Sequence, residues 1–175
     1  QWGLLTTLEL WSAINEFTPA HLVVAGHTHS AKYVDMMLKF VAISGIKERF
    51  TLEGGNEYVP YERIVELIQS CAMGTAFYDP RENIRERVPT KFYEFMAFKK
   101  PLFVTQNPLW DKMIDRLDFG VSLELPLREE KLQKAAEMIS RPSDFFYRKP
   151  ISPADYSWET EADRLIDFDR KLLQP

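Results

Sequence analysis

Cysteine is nearly missing from this chain. Cys71 is the only one among 175 residues, so no internal disulfide can form and a zinc site built on cysteines is excluded. A reducing compartment suits such a composition, and the expected location is cytoplasmic, the cytoplasmic face of a membrane included. Histidine is scarce as well: His21, His27 and His29 are the whole supply. Long apolar runs are lacking, and no stretch approaches membrane-spanning length or has the layout of a signal peptide. Positive charge is not in excess. Lysine and arginine total 22 against 26 acidic residues, which leaves a formal charge of −4 and no electrostatic case for a nucleic-acid partner. Internal repeats and low-complexity segments are absent too. The first residue is Gln1 rather than methionine, so the expectation is a piece of a longer protein.

What is present is enough apolar matter for one core. The chain is 45% hydrophobic and 13% aromatic, which predicts a single domain over residues 1–175. Helical spacing of Leu4, Leu5, Leu8, Trp11, Ile14 and Phe17 predicts a helix over Gly3 to Phe17, and HLVVAG (21–26) reads as a buried strand. Val34, Met37, Leu38 and Val41 predict a helix from Ala31 to Ile43. RFTLEGG follows as a strand, Tyr61 to Cys71 as a helix and GTAFYDP as a strand. Later elements are a helix over Leu109 to Leu117, the strand FGVSLEL, a helix over Leu127 to Ile139 and a terminal helix at about 156–173. Such alternation predicts an α/β fold, Rossmann-like and three-layered, with one parallel sheet of strands at 21–26, 50–54, 75–79, 101–105 and 119–123. Ligands bind such sheets outside the carboxyl ends of the strands. Here those ends carry Gly26, His27, Thr28 and His29, then Gly54, Gly55 and Asn56, then Asp79 and Pro80, and last Thr105, Gln106 and Asn107.

The stretch Glu86 to Val104, ERVPTKFYEFMAFKKPLFV, departs most from a plain packing unit. Pro89 suits the first helical position and pushes Val88 toward extended backbone, so Glu86 is expected in the loop just before a helix. Phe92, Phe95, Met96 and Lys99 share the side expected to cover the sheet. Glu94 projects the other way, with Thr90 and Lys91 near the free amides of the first turn, where an anion is favoured. Pro101 ends the helix, and LFVT reads as a buried parallel strand.

PTKFYEFMAFKKPLFVT resembles the P-T-K-x-x-E-[YF]-M-A-x-x-K-P segment of retaining glycosyltransferases with the GT-B fold, family 4 in particular. Glu86 and Glu94, with seven residues between them, match that family's E-x7-E pair, and YSWETEADRLIDFDRKLL is similar to its closing helix. The resemblance implies the donor-binding, carboxy-terminal half of such an enzyme, a hexosyltransferase acting with retention on a UDP-, GDP- or other nucleotide-diphosphate sugar. An amino-terminal acceptor domain, in the same or another chain, is implied as partner, so this chain is not expected to be active alone. The acceptor would be a glycan or lipid-linked saccharide, with peripheral membrane association in the full-length protein. It implies no metal or other cofactor. Glu86 and Lys91 take the catalytic roles, toward the donor sugar and the leaving diphosphate. Glu94 takes the ribose, and Gly3, Gly26, His27, Gly54, Gly55, Val59, Pro89 and Thr90 line the donor site. Trp2 stands where the family pattern places a phosphate-binding lysine.

Other readings stay open. GHTH at Gly26 to His29 carries the letters that close the metal site of calcineurin-like metallophosphoesterases, although that family's earlier Asp-x-His, Gly-Asp and Gly-Asn-His signatures are missing before it. A doubly wound regulatory or scaffold module is a second alternative, because fold does not dictate function. A GT-B sugar-nucleotide epimerase, which shares the donor site, is a third.

Overall fold

The computed structural model describes residues 2–78, 86–125, 128–141, 145–150, 152 and 158–172. In chain order the elements are α1 (Trp2–Ile14), β1 (Leu22–His27), α2 (Ala31–Ile43), a 3-10 turn (Lys47–Arg49), β2 (Phe50–Gly55), α3 (Tyr61–Ser70) and β3 (Gly74–Ala76). They continue with α4 (Thr90–Ala97), β4 (Leu102–Thr105), α5 (Pro108–Leu117), β5 (Gly120–Leu123), α6 (Glu129–Ile139) and α7 (Trp158–Leu172). Among the described residues every strand pairing is parallel, with helices on both faces, so the fold is Rossmann-like α/β. The strand expected over 75–79 ends at Ala76, and Phe77 and Tyr78 lie beyond it, while the expected element bounds Asp79, Leu127, Tyr156 and Leu173 lie outside the described residues.

The single sheet expected from the sequence comes in two pieces. β1 pairs with β2, and β4 lies between β3 and β5. The chain passes from one piece to the other through α3, which is where sequential strands stop being neighbours. α1 joins the pieces: Leu8, Leu10, Trp11 and Ile14 share one buried cluster with Leu22, Val34, Met37 and Val41 and with Phe77, Phe103, Leu123, Ala135 and Ala136. The opposite face of the larger piece is covered by α4 and α5, through Phe92, Met96, Trp110 and Leu117 packed on Ala76, Leu102, Val104 and Phe119. Complete burial of a side chain such as Phe92 contributes about 2–3 kcal/mol.

Side-chain caps begin two of the helices. Ser30 accepts the Tyr33 amide at 3.3 Å to start α2, and Asn107 accepts the amides of Leu109 and Trp110 to start α5. α1 stops at Ile14, short of Phe17, which is half exposed instead of joining the core. Arg49 explains the stop, donating to the carbonyls of Asn15 and Thr18 and so tying the end of α1 to the start of β2. Leu38, expected on the buried side of α2, is also exposed. β4 is buried along its whole length, as its apolar run requires between two parallel neighbours.

Candidate functional site

At the carboxyl ends of β1 and β2, Gly26 lies in register with Gly54 and His27 with Gly55. Gly54 has φ +93°, and a Cβ there would overlap the Gly26 carbonyl and stand 2.6 Å from Val59 Cγ2. Only glycine fits this position, and Val59 closes it. The Thr28 amide donates to Gly55 at 2.8 Å, which holds the loop after β1 against the loop after β2. His27 packs edge-on to His29 with centroids 4.5 Å apart and stacks on Tyr58 at 4.6 Å. Gly26, His27, Gly54, Gly55 and Val59 therefore form one corner. Tyr58, 83% exposed, belongs to it and was not anticipated; an aromatic just past a paired-glycine strand end was its signal. Among the described residues no three His, Cys, Asp or Glu side chains converge as a metal would need, so the two imidazoles of GHTH have no third ligand there.

A second corner forms at the end of β3. Gly3 backs directly onto the Phe77 carbonyl, where a Cβ would collide, and one turn on Thr7 Oγ1 lies 3.1 Å from Thr75 Oγ1. α1 thus begins at the carboxyl end of β3 and runs back along it. Pro89 is not the first helical residue. Its φ of −62° is helical but its ψ of 141° is extended, so it occupies the cap position and the helix starts at Thr90. The far end also differs from expectation: Lys99 has left the helix with φ 51° and is exposed rather than covering the sheet.

Lys91 Nζ lies over the Tyr78 ring, 5.3 Å from its centroid. Burial lowers the pKa of this ammonium, and the charge of Glu94 opposes the shift. Burial raises the Tyr78 phenol, and Glu94 pushes it the same way. One carboxylate therefore acts on both groups. Glu86 is exposed, as is Thr90, and no hydrogen bond or ion pair joins Glu86 to Lys91 or Glu94 among the described residues. Beside Glu86, Trp110 Nε1 donates to the Arg87 carbonyl at 2.8 Å.

Thr105, expected at a strand end, and Trp110 carry polar groups whose partners the sequence does not announce. Thr105 Oγ1 accepts the Tyr78 amide at 2.8 Å and donates to the Tyr78 carbonyl at 3.0 Å. The signals of the two residues themselves were a threonine closing an apolar strand and a tryptophan one turn into a capped helix.

Among the described residues no helix is long and apolar enough to cross a membrane. No family model matches the sequence, and no curated protein matches it. The fold is similar to the crystal structure of AviGT4, a glycosyltransferase involved in avilamycin A biosynthesis, with a TM-score of 0.61 at 17% identity. The match covers 98% of this chain and 47% of that one, so the chain spans about half the length of AviGT4. The architecture is a Rossmann-type α/β fold similar to that part of AviGT4.

Proposed function

We propose that this chain is the donor-binding half of a retaining GT-B glycosyltransferase, of the family 4 type, and that it takes a nucleotide-diphosphate sugar where α4 begins. The observation that carries this reading is the convergence of Lys91 and Glu94 beside Tyr78 at the amino end of α4. An ammonium that burial disfavours gains from an arriving anion, and the start of a helix adds amides and dipole of the matching sign. Lys91 therefore faces the leaving diphosphate. Glu94 accepts hydrogen bonds from the ribose hydroxyls, and Glu86, in the exposed turn ahead, reaches the donor sugar. Gly26, Gly54, Gly55 and Val59, with His27, receive the base through close backbone approach. The acceptor belongs to a separate amino-terminal domain, and transfer of the hexose proceeds with retention.

Calorimetric titration with UDP and with GDP, each with and without EDTA, tests the assignment. Binding that persists in EDTA and weakens in Glu94→Gln is expected. Binding that disappears on chelation would move the site to the His27 and His29 pair.

A further inference from the structure

Two side chains from a single corner hold the backbone at Tyr78 and at Arg87. Thr105, the last residue of β4 and 3% exposed, brackets the backbone of Tyr78 by accepting from its amide and donating to its carbonyl. Trp110, in the first turn of α5 and 1% exposed, donates to the Arg87 carbonyl. Its indole also meets the Tyr78 ring at 5.7 Å and the Phe92 ring at 5.1 Å. Asn107 lies between the two and caps α5. One rigid turn thus touches the residue under Lys91, the residue beside Lys91 and the residue beside Glu86.

We infer that Thr105 and Trp110 are positioning residues that fix the Tyr78 ring, Lys91 and the Glu86 turn in one mutual geometry. The inference rests on the donor-site reading for its consequence, while the geometry it describes stands apart from that reading. Thr105 acts on Lys91 through the Tyr78 backbone. A hydroxyl is needed because the part-buried amide and carbonyl of Tyr78 would otherwise lose this partner. Trp110 acts on Glu86 through the Arg87 carbonyl, and phenylalanine would keep the ring contacts while removing the donor.

The experiment compares the full chain with Thr105→Val, Thr105→Ser and Trp110→Phe. Three readouts are used: an NMR titration of the Lys91 ε-amine, amide exchange over residues 86–88, and calorimetric binding of UDP, GDP, UDP-glucose and GDP-mannose. Thr105→Val is expected to move the Lys91 titration toward the ordinary lysine value and to weaken nucleotide binding about tenfold, with Thr105→Ser restoring both. Trp110→Phe is expected to accelerate exchange at 86–88 and to reduce the preference for sugar nucleotide over bare nucleotide. A folded Thr105→Val with the parent's titration curve overturns the inference, as does Trp110→Phe with unchanged exchange. If the parent binds none of the four ligands, the donor-site reading fails, and the titration and exchange data alone decide the positioning. If Thr105→Val does not fold, the exchange result for Trp110→Phe decides.

Discussion

The Lys91 ammonium rests 5.3 Å from the centroid of the Tyr78 ring, with the Glu94 charge acting on both. A cation in this position is partly stripped of water, and the ring face and the carboxylate return only part of what hydration supplied. The Lys91 titration should therefore fall below the ordinary lysine value. Glu94→Gln removes the opposing influence, so the Lys91 pKa should drop further and the Tyr78 pKa should fall back toward its ordinary value. NMR titration of both side chains checks the two shifts together. A Lys91 pKa that rises in Glu94→Gln would contradict this arrangement.

Glu94→Gln keeps shape and much of the helix propensity while removing charge, so melting should change little. Nucleotide binding should weaken by about 1–3 kcal/mol if charge-assisted hydrogen bonds to the ribose are lost. Glu86→Gln should leave bare nucleotide binding nearly intact and lower affinity for the sugar conjugate. Calorimetry on both variants with UDP and UDP-glucose, and with GDP and GDP-mannose, separates the two roles. Equal loss for both ligands in Glu86→Gln would remove that residue from the sugar.

Arg63 grips Glu53 with two nitrogens, Nε to Oε2 at 2.8 Å and Nη2 to Oε1 at 2.7 Å, linking α3 to β2. Hydrogen bonding from Arg63 holds the Glu53 carboxyl below its ordinary value of 4.5. A folded-state pKa lowered in this way gives stability that is complete above the unfolded value and is lost as pH falls through the folded one. Denaturation midpoints of Glu53→Gln and the parent should therefore differ near neutral pH and converge in acid below 4.5. Both groups are exposed enough for solvent to keep the difference small, and added salt should shrink it.

The element pattern was legible because its signals are local. Apolar spacing placed α2 to the residue, and the run Leu102 to Val104 announced a strand buried on both faces. The division of the sheet was not legible, because strand pairing depends on where crossovers return and no local pattern encodes that. At the site, the Lys91 and Glu94 pair could be read from helix spacing. Tyr78 could not, since its place beneath Lys91 is created by Thr105, 27 residues further along the chain. Pro89 and Lys99 show a smaller failure. Both sit at helix ends, where one dihedral angle decides membership and residue type constrains only part of it.

Gly54→Ala should destabilise the fold by about 1–3 kcal/mol or more, because a positive φ is imposed on an L residue and its Cβ meets the Gly26 carbonyl. Chemical denaturation measures the loss. The change should also push apart the loops after β1 and β2, so nucleotide binding is expected to weaken even where the variant is fully folded. Gly45→Ala, at a positive φ with open space around it, separates the two causes. It should carry the φ penalty alone and leave binding as in the parent.

Lys99 ends α4 in the left-handed region, and the bonds around it define the ending. The Lys100 amide donates to the Phe95 carbonyl and the Lys99 amide to the Met96 carbonyl, both at 2.9 Å, which is the pairing usually built around a glycine. A lysine here carries the Cβ penalty of a positive φ, on the order of 1 kcal/mol. Replacing it also removes a charge that favours the helix end, so Lys99→Gly alone mixes two effects. Comparing Lys99→Gly with Lys99→Ala cancels the charge and isolates the backbone. At this position glycine should be the more stable of the two by about 1 kcal/mol, whereas inside a right-handed helix alanine would win by a similar margin. Urea denaturation of the pair reads the sign directly, and alanine proving the more stable would mean that α4 continues through Lys99 and that Pro101 alone turns the chain into β4.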